Sequence, residues 1–137
     1  MKKQISVLTV LLAASMTVQA GGAVVVAKDS PISSMSAEDV KDVFLGRKAF
    51  VSGQPMVVVF QKEGTPTRSD FETKVVGKTG AELSQYVSKQ IFTGKAAPPI
   101  IANDDAAVRA KVAGTPGAIG YVSGQGVDST VKVIFKY

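Results

Sequence analysis

Two short runs without a polar residue, Val24-Val25-Val26 and Met56 to Phe60 (MVVVF), constrain the fold most strongly. A strand with one face in water alternates polar and apolar side chains, whereas a run that is apolar throughout is covered on both faces. Runs this short and β-branched, bounded by turn residues, read as strands rather than buried helices. The second run follows Ser52-Gly53-Gln54-Pro55, and the first, within Gly22 to Lys28, is broken by the polar stretch Asp29 to Met35 (DSPISSM). Helices laid on both faces of a sheet bury such strands.

The segments between these strands carry helix signals. Ser36 stands before Ala37-Glu38-Asp39 as an N-cap with acids in the first turn, Val40, Val43 and Phe44 make an apolar stripe, and Gly46 closes the helix. Thr65 is a second N-cap, with Pro66 at the first helical position, Phe71 and Val75 four apart, and Gly77 and Gly80 at the end. Residues 81–92 are the most periodic, with Leu83, Tyr86, Val87 and Ile91 on one face; Tyr86 and Phe92 are expected in the core. After a loop through Gly94-Lys95 and Pro98-Pro99, Ile100-Ile101 predicts a brief strand. Residues 104–113 predict a helix with Val108 and Val112 inward and Asp104-Asp105 as its solvated start. Thr115-Pro116-Gly117 turns into a strand at 118–122 (AIGYV). A glycine-rich turn at 124–126 precedes a last strand in which Val131, Val133 and Phe135 share a face. This alternation predicts an α/β domain with a mixed sheet flanked by helices.

The N-terminus has the form of a cleavable export signal. Lys2 and Lys3 make a positive start, Ile5 to Thr17 are apolar or small, and Val18-Gln19-Ala20 present small or modest residues for cleavage. The apolar run is shorter than the roughly 20 residues that span a bilayer. The expected organisation is therefore a signal peptide at 1–20 and one domain at 21–137, located in the periplasm with no membrane insertion after cleavage. Without Lys2 and Lys3 the formal charge falls from +5 to +3, and the remaining basic residues are scattered, which points away from nucleic acid. The chain has no Cys and no His. Thiol nucleophiles, His-based triads and the usual zinc and copper ligand sets are thereby excluded, and no spaced acidic pattern marks a calcium loop. No cofactor, metal or catalytic activity is expected.

The segment with most chemical content is the strand at 56–60, the polar loop after it, and the helix from Pro66. Ligands of open α/β sheets sit beyond the carboxyl ends of the strands, and a helix start there suits an anion. Candidate ligand-binding residues are Gln61, Gly64, Thr65, Thr67 and Arg68: Gly64 for close backbone approach, Thr65 and Thr67 for hydroxyls, and Arg68 for a bidentate guanidinium. An ordinary strand–loop–helix junction, with Thr65 serving its own helix, fits the spacing as well. Ser33, Ser34 and Ser36 read as a turn with a cap, and Lys95 as a solvated loop lysine.

Together these residues resemble a known family. Val24-Val25-Val26, Pro31 to Met35 and Val40 to Gly46 (VKDVFLG) resemble the extended strand and IFLGK helix of periplasmic phosphate-binding proteins of ABC importers. Residues 57–71 (VVVFQKEGTPTRSDF) resemble that family's strand, phosphate loop and helix, and residues 112–122 (VAGTPGAIGYV) its TPGAIGYV segment. Ile91 to Pro99 (IFTGKAAPP) is similar to short single-lobe relatives. In the family the loop reads Arg-Ser-Asp-Gly-Ser-Gly-Thr. Here Gly64 and Thr67 match it and Thr65 keeps a hydroxyl, while Gln61 stands at the Arg position and Pro66 at a Gly.

The resemblance implies a single lobe of a type II periplasmic-binding-protein-like fold that weakly binds phosphate or another oxyanion at 61–68. It also implies an ABC permease, another lobe or another copy of the chain as partner. The alternative is a protein-interaction module of the cell envelope built on one such lobe.

Overall fold

The computed structural model describes residues 21–137; the export signal expected at 1–20 lies outside the described residues. The chain runs β1 (Gly22–Ala27), α1 (Ala37–Phe44), a small hairpin β2 (Phe50–Val51) and β3 (Gln54–Pro55), β4 (Val57–Gln61) and α2 (Pro66–Phe71). A π turn (Glu72–Val76) then leads to α3 (Gly80–Phe92), β5 (Ile100–Ala102), α4 (Asp105–Gly114), β6 (Ala118–Ser123), a 3-10 turn (Gly124–Gly126) and β7 (Val131–Lys136). Five strands form a mixed sheet in the order β5-β4-β6-β1-β7. β4 is parallel to both β5 and β6, while β1 is antiparallel to β6 and β7. The expected α/β class with a mixed, helix-flanked sheet is the one observed.

Pleating divides each apolar strand between two cores. Val24, Val26, Phe60, Ile119 and Tyr121 face α1, α2 and α3, whereas Ala23, Val25, Val59, Ala118 and Val122 face α4. The first core is aromatic. Phe71 stacks on Tyr121 with centroids 3.9 Å apart, and Phe44 meets Phe71 edge-on at 4.7 Å. The second core is tighter, because a Cβ on Gly120 would lie 2.7 Å from Val108 and 3.1 Å from Val112. The small residue in β6 is what lets α4 sit so close to the sheet.

Ser36, Thr65 and Asp104 each accept a backbone N–H from the residue three positions on, so three of the four α-helices described, α1, α2 and α4, are capped by a side chain. Three expectations are corrected. The helix after Pro66 loosens into a π turn, whose added residue per turn rotates the chain so that Val76 is buried and Val75 only half-buried. Phe92 is not core but 93% exposed, since α3 ends there and its face buries only Leu83 and Gln90. Phe135 does not join Val133. A bulge pairs Val24 with Phe135 and Val25 with Val133, leaving Ile134 between them, and Ile134 and Phe135 pack on the aromatic side.

Candidate functional site

Because β4, β5 and β6 are parallel to one another, their carboxyl ends open on the same side of the sheet. Residues at these ends and just beyond them line an open cleft of about 590 Å³: Gln61 at the end of β4 with Thr65 and Thr67 after it, Asn103 to Asp105 after β5, Arg109 within α4, and Ser123 at the end of β6 with Gln125 after it. Of the five residues singled out from sequence, three thus share one cleft. Thr67 is half-buried at its wall. Gly64, at φ +88°, makes the turn between strand and helix, with open space where a side chain would stand. It serves the chain's own conformation there and lines none of the cleft.

Gln61 is almost fully buried, and its backbone groups and its amide nitrogen are all hydrogen-bonded. Its backbone N–H donates to the Tyr121 hydroxyl at 2.9 Å, and its amide Nε2 donates to Asp105 Oδ1 at 2.6 Å and to the Tyr121 carbonyl at 3.3 Å. Its carbonyl accepts from Arg68 Nη1 at 3.0 Å. Burial pushes the Tyr121 phenol well above its ordinary range, so it stays a neutral hydroxyl at this junction. Thr65 uses its hydroxyl twice, accepting from the Arg68 N–H at 3.3 Å and donating to the Lys62 carbonyl at 3.0 Å.

Arg68 is where sequence and structure part. Its guanidinium turns away from the cleft and under the α3 side of the sheet. Nε lies 2.8 Å from Glu72 Oε1, and the charge sits over the Phe60 ring at 5.1 Å. Glu72 Oε2 in turn accepts the Gly80 N–H at 3.0 Å. The pair bolts β4, the π turn and the start of α3 together, with no donor left facing the cleft. Arg109, the other arginine nearby, is held by Asp128 at 3.0 Å and by the Gly126 carbonyl at 2.7 Å.

Spacing along the chain does not reveal Asp105 and Ser123, which the fold brings to Gln61. Asp105 is not a free, solvated helix start: its carboxylate accepts from Gln61 Nε2, from the Ser123 N–H at 3.3 Å to each oxygen, and from Ser123 Oγ at 2.5 Å. The adjacent acids at 104 and 105 were visible, but their different roles follow from strand order. In the cleft, neutral donors of Gln61 and Ser123 therefore already surround the Asp105 carboxylate. Ser33 and Ser34 are exposed and line no part of it, and Lys95 lies on an apolar groove beside α1. Among the described residues no cluster of His, Cys, Asp and Glu could hold a metal ion, and no helix is long and apolar enough to cross a membrane.

No family model matches the chain, and no curated protein matches it in sequence. Solved structures do match. An ABC-type phosphate transport receptor from Vibrio cholerae aligns over 83% of this chain and 45% of its own, with TM-score 0.67 and 25% identity. A putative phosphate ABC transporter substrate-binding protein with bound phosphate, from Clostridium perfringens, aligns over 83% and 44%, with TM-score 0.66 and 24% identity. PstS from Borrelia burgdorferi aligns over 83% and 46%, with TM-score 0.64 and 13% identity. The chain is thus a short structural relative of phosphate substrate-binding proteins, spanning about 45% of the length of the receptors it matches.

Proposed function

We propose that this protein is a non-catalytic solute-binding module of the periplasm, which takes phosphate or another oxyanion, weakly, in the cleft beyond Gln61 and Ser123. The observation that carries this reading is the donor set itself. Gln61 Nε2, the Ser123 N–H and Ser123 Oγ converge on a carboxylate at the carboxyl ends of parallel strands. Thr67 adds a hydroxyl at the wall. The structural neighbours support the ligand class, since one is described with bound phosphate and none of the three is described as an enzyme.

Weak binding follows from charge. Arg68 and Arg109 are committed to Glu72 and Asp128, so no unpaired cation is left to offset the charge of an incoming anion. Delivery to an ABC permease, or closure against another lobe or another copy, would complete such a site in the periplasm. Titration calorimetry with phosphate and sulfate tests the reading. Heat of binding that is weakened by Thr67→Ala supports it; silence at roughly 10 mM ligand, a free energy below about 3 kcal/mol, refutes it.

A second reading, an envelope interaction module, draws on a different surface. Phe50, Phe92 and Ile101 are large and exposed, and Phe50 joins Met56, Val87 and the 94–99 loop in lining a groove of about 390 Å³. Pull-down from envelope extracts and a sizing column distinguish it: a monomer without partners contradicts this second reading.

A further inference from the structure

Among the described residues Asp105 is the acid that accepts hydrogen bonds from Gln61 and Ser123, and its surroundings set it apart from the other carboxylates nearby. Glu72 and Asp128 each meet an arginine, whereas Asp105 pairs with no Lys or Arg among the described residues. Its charge is held by Gln61 Nε2 at 2.6 Å, Ser123 Oγ at 2.5 Å, the Ser123 N–H, and its place in the first turn of α4. The 3-10 turn then closes over it: a Cβ on Gly126 would stand 2.3 Å from Asp105 Oδ2, so only a glycine leaves the carboxylate its seat.

From this we infer that the Asp105 carboxylate is the resident occupant of the cleft and sets its affinity: an external oxyanion binds only by displacing it. The inference rests on the oxyanion reading proposed above and deepens it. The three donors that would receive an outside oxygen already receive Oδ1 and Oδ2. An incoming anion must therefore break hydrogen bonds to a charged group before it makes its own, and do so beside a like charge. Tethering favours the resident, because Asp105 is attached to α4 and needs no translational freedom to find the donors. Asp105 thus acts as a specificity-determining residue that keeps the cleft closed to weakly competing anions.

The experiment follows the Ser123 amide resonance of 15N-labelled protein during titration with phosphate, sulfate and acetate. It compares the native protein with Asp105→Ala and Gly126→Ala. The first removes the resident charge at a helical position where alanine is well tolerated. The second keeps the charge but crowds it from its seat, and serves should the first variant fail to fold. Both should bind all three anions about tenfold or more tightly than the native protein, roughly the worth of one hydrogen bond to a charged group, with Ser123 among the most shifted amides. Acetate, a free copy of the deleted group, should refill the site of Asp105→Ala. Unchanged affinities in both variants, with Thr67→Ala still weakening phosphate, would overturn the inference while leaving the oxyanion reading in place. If no anion binds any of the proteins, both fall.

Discussion

Arg68 Nε and Glu72 Oε1 lie 2.8 Å apart, one helical turn from each other, with both side chains more than nine-tenths buried. A guanidinium at the mouth of an anion site would be exposed and unpaired. This one is a strut. Removing its partner strands a charge in the interior, so Glu72→Ala should lower stability by about 3–5 kcal/mol in denaturant unfolding. Replacing both residues by apolar ones, Arg68→Met with Glu72→Leu, should recover most of that loss. Phosphate affinity per folded molecule should be unaffected by the double change. A drop in affinity would show that Arg68 reaches the ligand.

Thr65 and Thr67 are two residues apart but have different tasks. Thr65 Oγ1 caps α2 and closes the loop on the Lys62 carbonyl, so Thr65→Ala should cost about 1 kcal/mol of stability. Thr67 lines the cleft, and Thr67→Ala should weaken phosphate with little loss of stability. Thermal melts and calorimetry on the two variants check the division; equal effects on both quantities would contradict it.

The tyrosines give the stability a pH dependence of definite sign. Burial raises the folded-state pKa of Tyr121 and Tyr137 well above the ordinary phenol value. Both therefore keep their protons when folded and would lose them when unfolded, so their linkage leaves stability intact below about pH 10 and erodes it above. Absorbance near the phenolate band should show these two ionising only with unfolding. An early, reversible titration of Tyr121 or Tyr137 in the folded protein would contradict the burial.

Gly120 is the contact between β6 and α4. A valine there would drive its Cβ and methyl groups into Val108 and Val112, and Gly120→Val should cost about 1–3 kcal/mol as an overpacked core. Chemical denaturation measures it. The same substitution on an exposed strand would be neutral or favourable, so the sign reports on how close the helix lies.

Much of the fold was legible because local chemistry and global structure agree. The apolar runs at 24–26 and 56–60 became central strands, and Ser36, Thr65 and Asp104 capped the helices expected after them. What was not legible depends on neighbours remote in sequence. The π turn at 72–76 and the bulge that separates Phe135 from Val133 each insert one residue into a periodic pattern, which composition does not mark. Phe92 looked like core because it ends a periodic helix, yet periodicity says nothing about where the covering element stops. The cleft shows the same limit. Gln61, Thr65 and Thr67 could be found from the strand–loop–helix order, whereas Asp105 and Ser123 reach Gln61 only because β4 lies between β5 and β6. Arg68 was visible as a guanidinium at a helix start, but its inward turn onto Glu72 is a property of the packed protein.

Calorimetric titration of the protein with phosphate, repeated on Thr67→Ala, tests the central claim most directly. The account predicts weak, saturable binding, with a dissociation constant on the order of millimolar for a site of neutral donors, and a further loss of affinity in the variant. No heat from the native protein at roughly 10 mM phosphate, or identical isotherms for the two proteins, would contradict it.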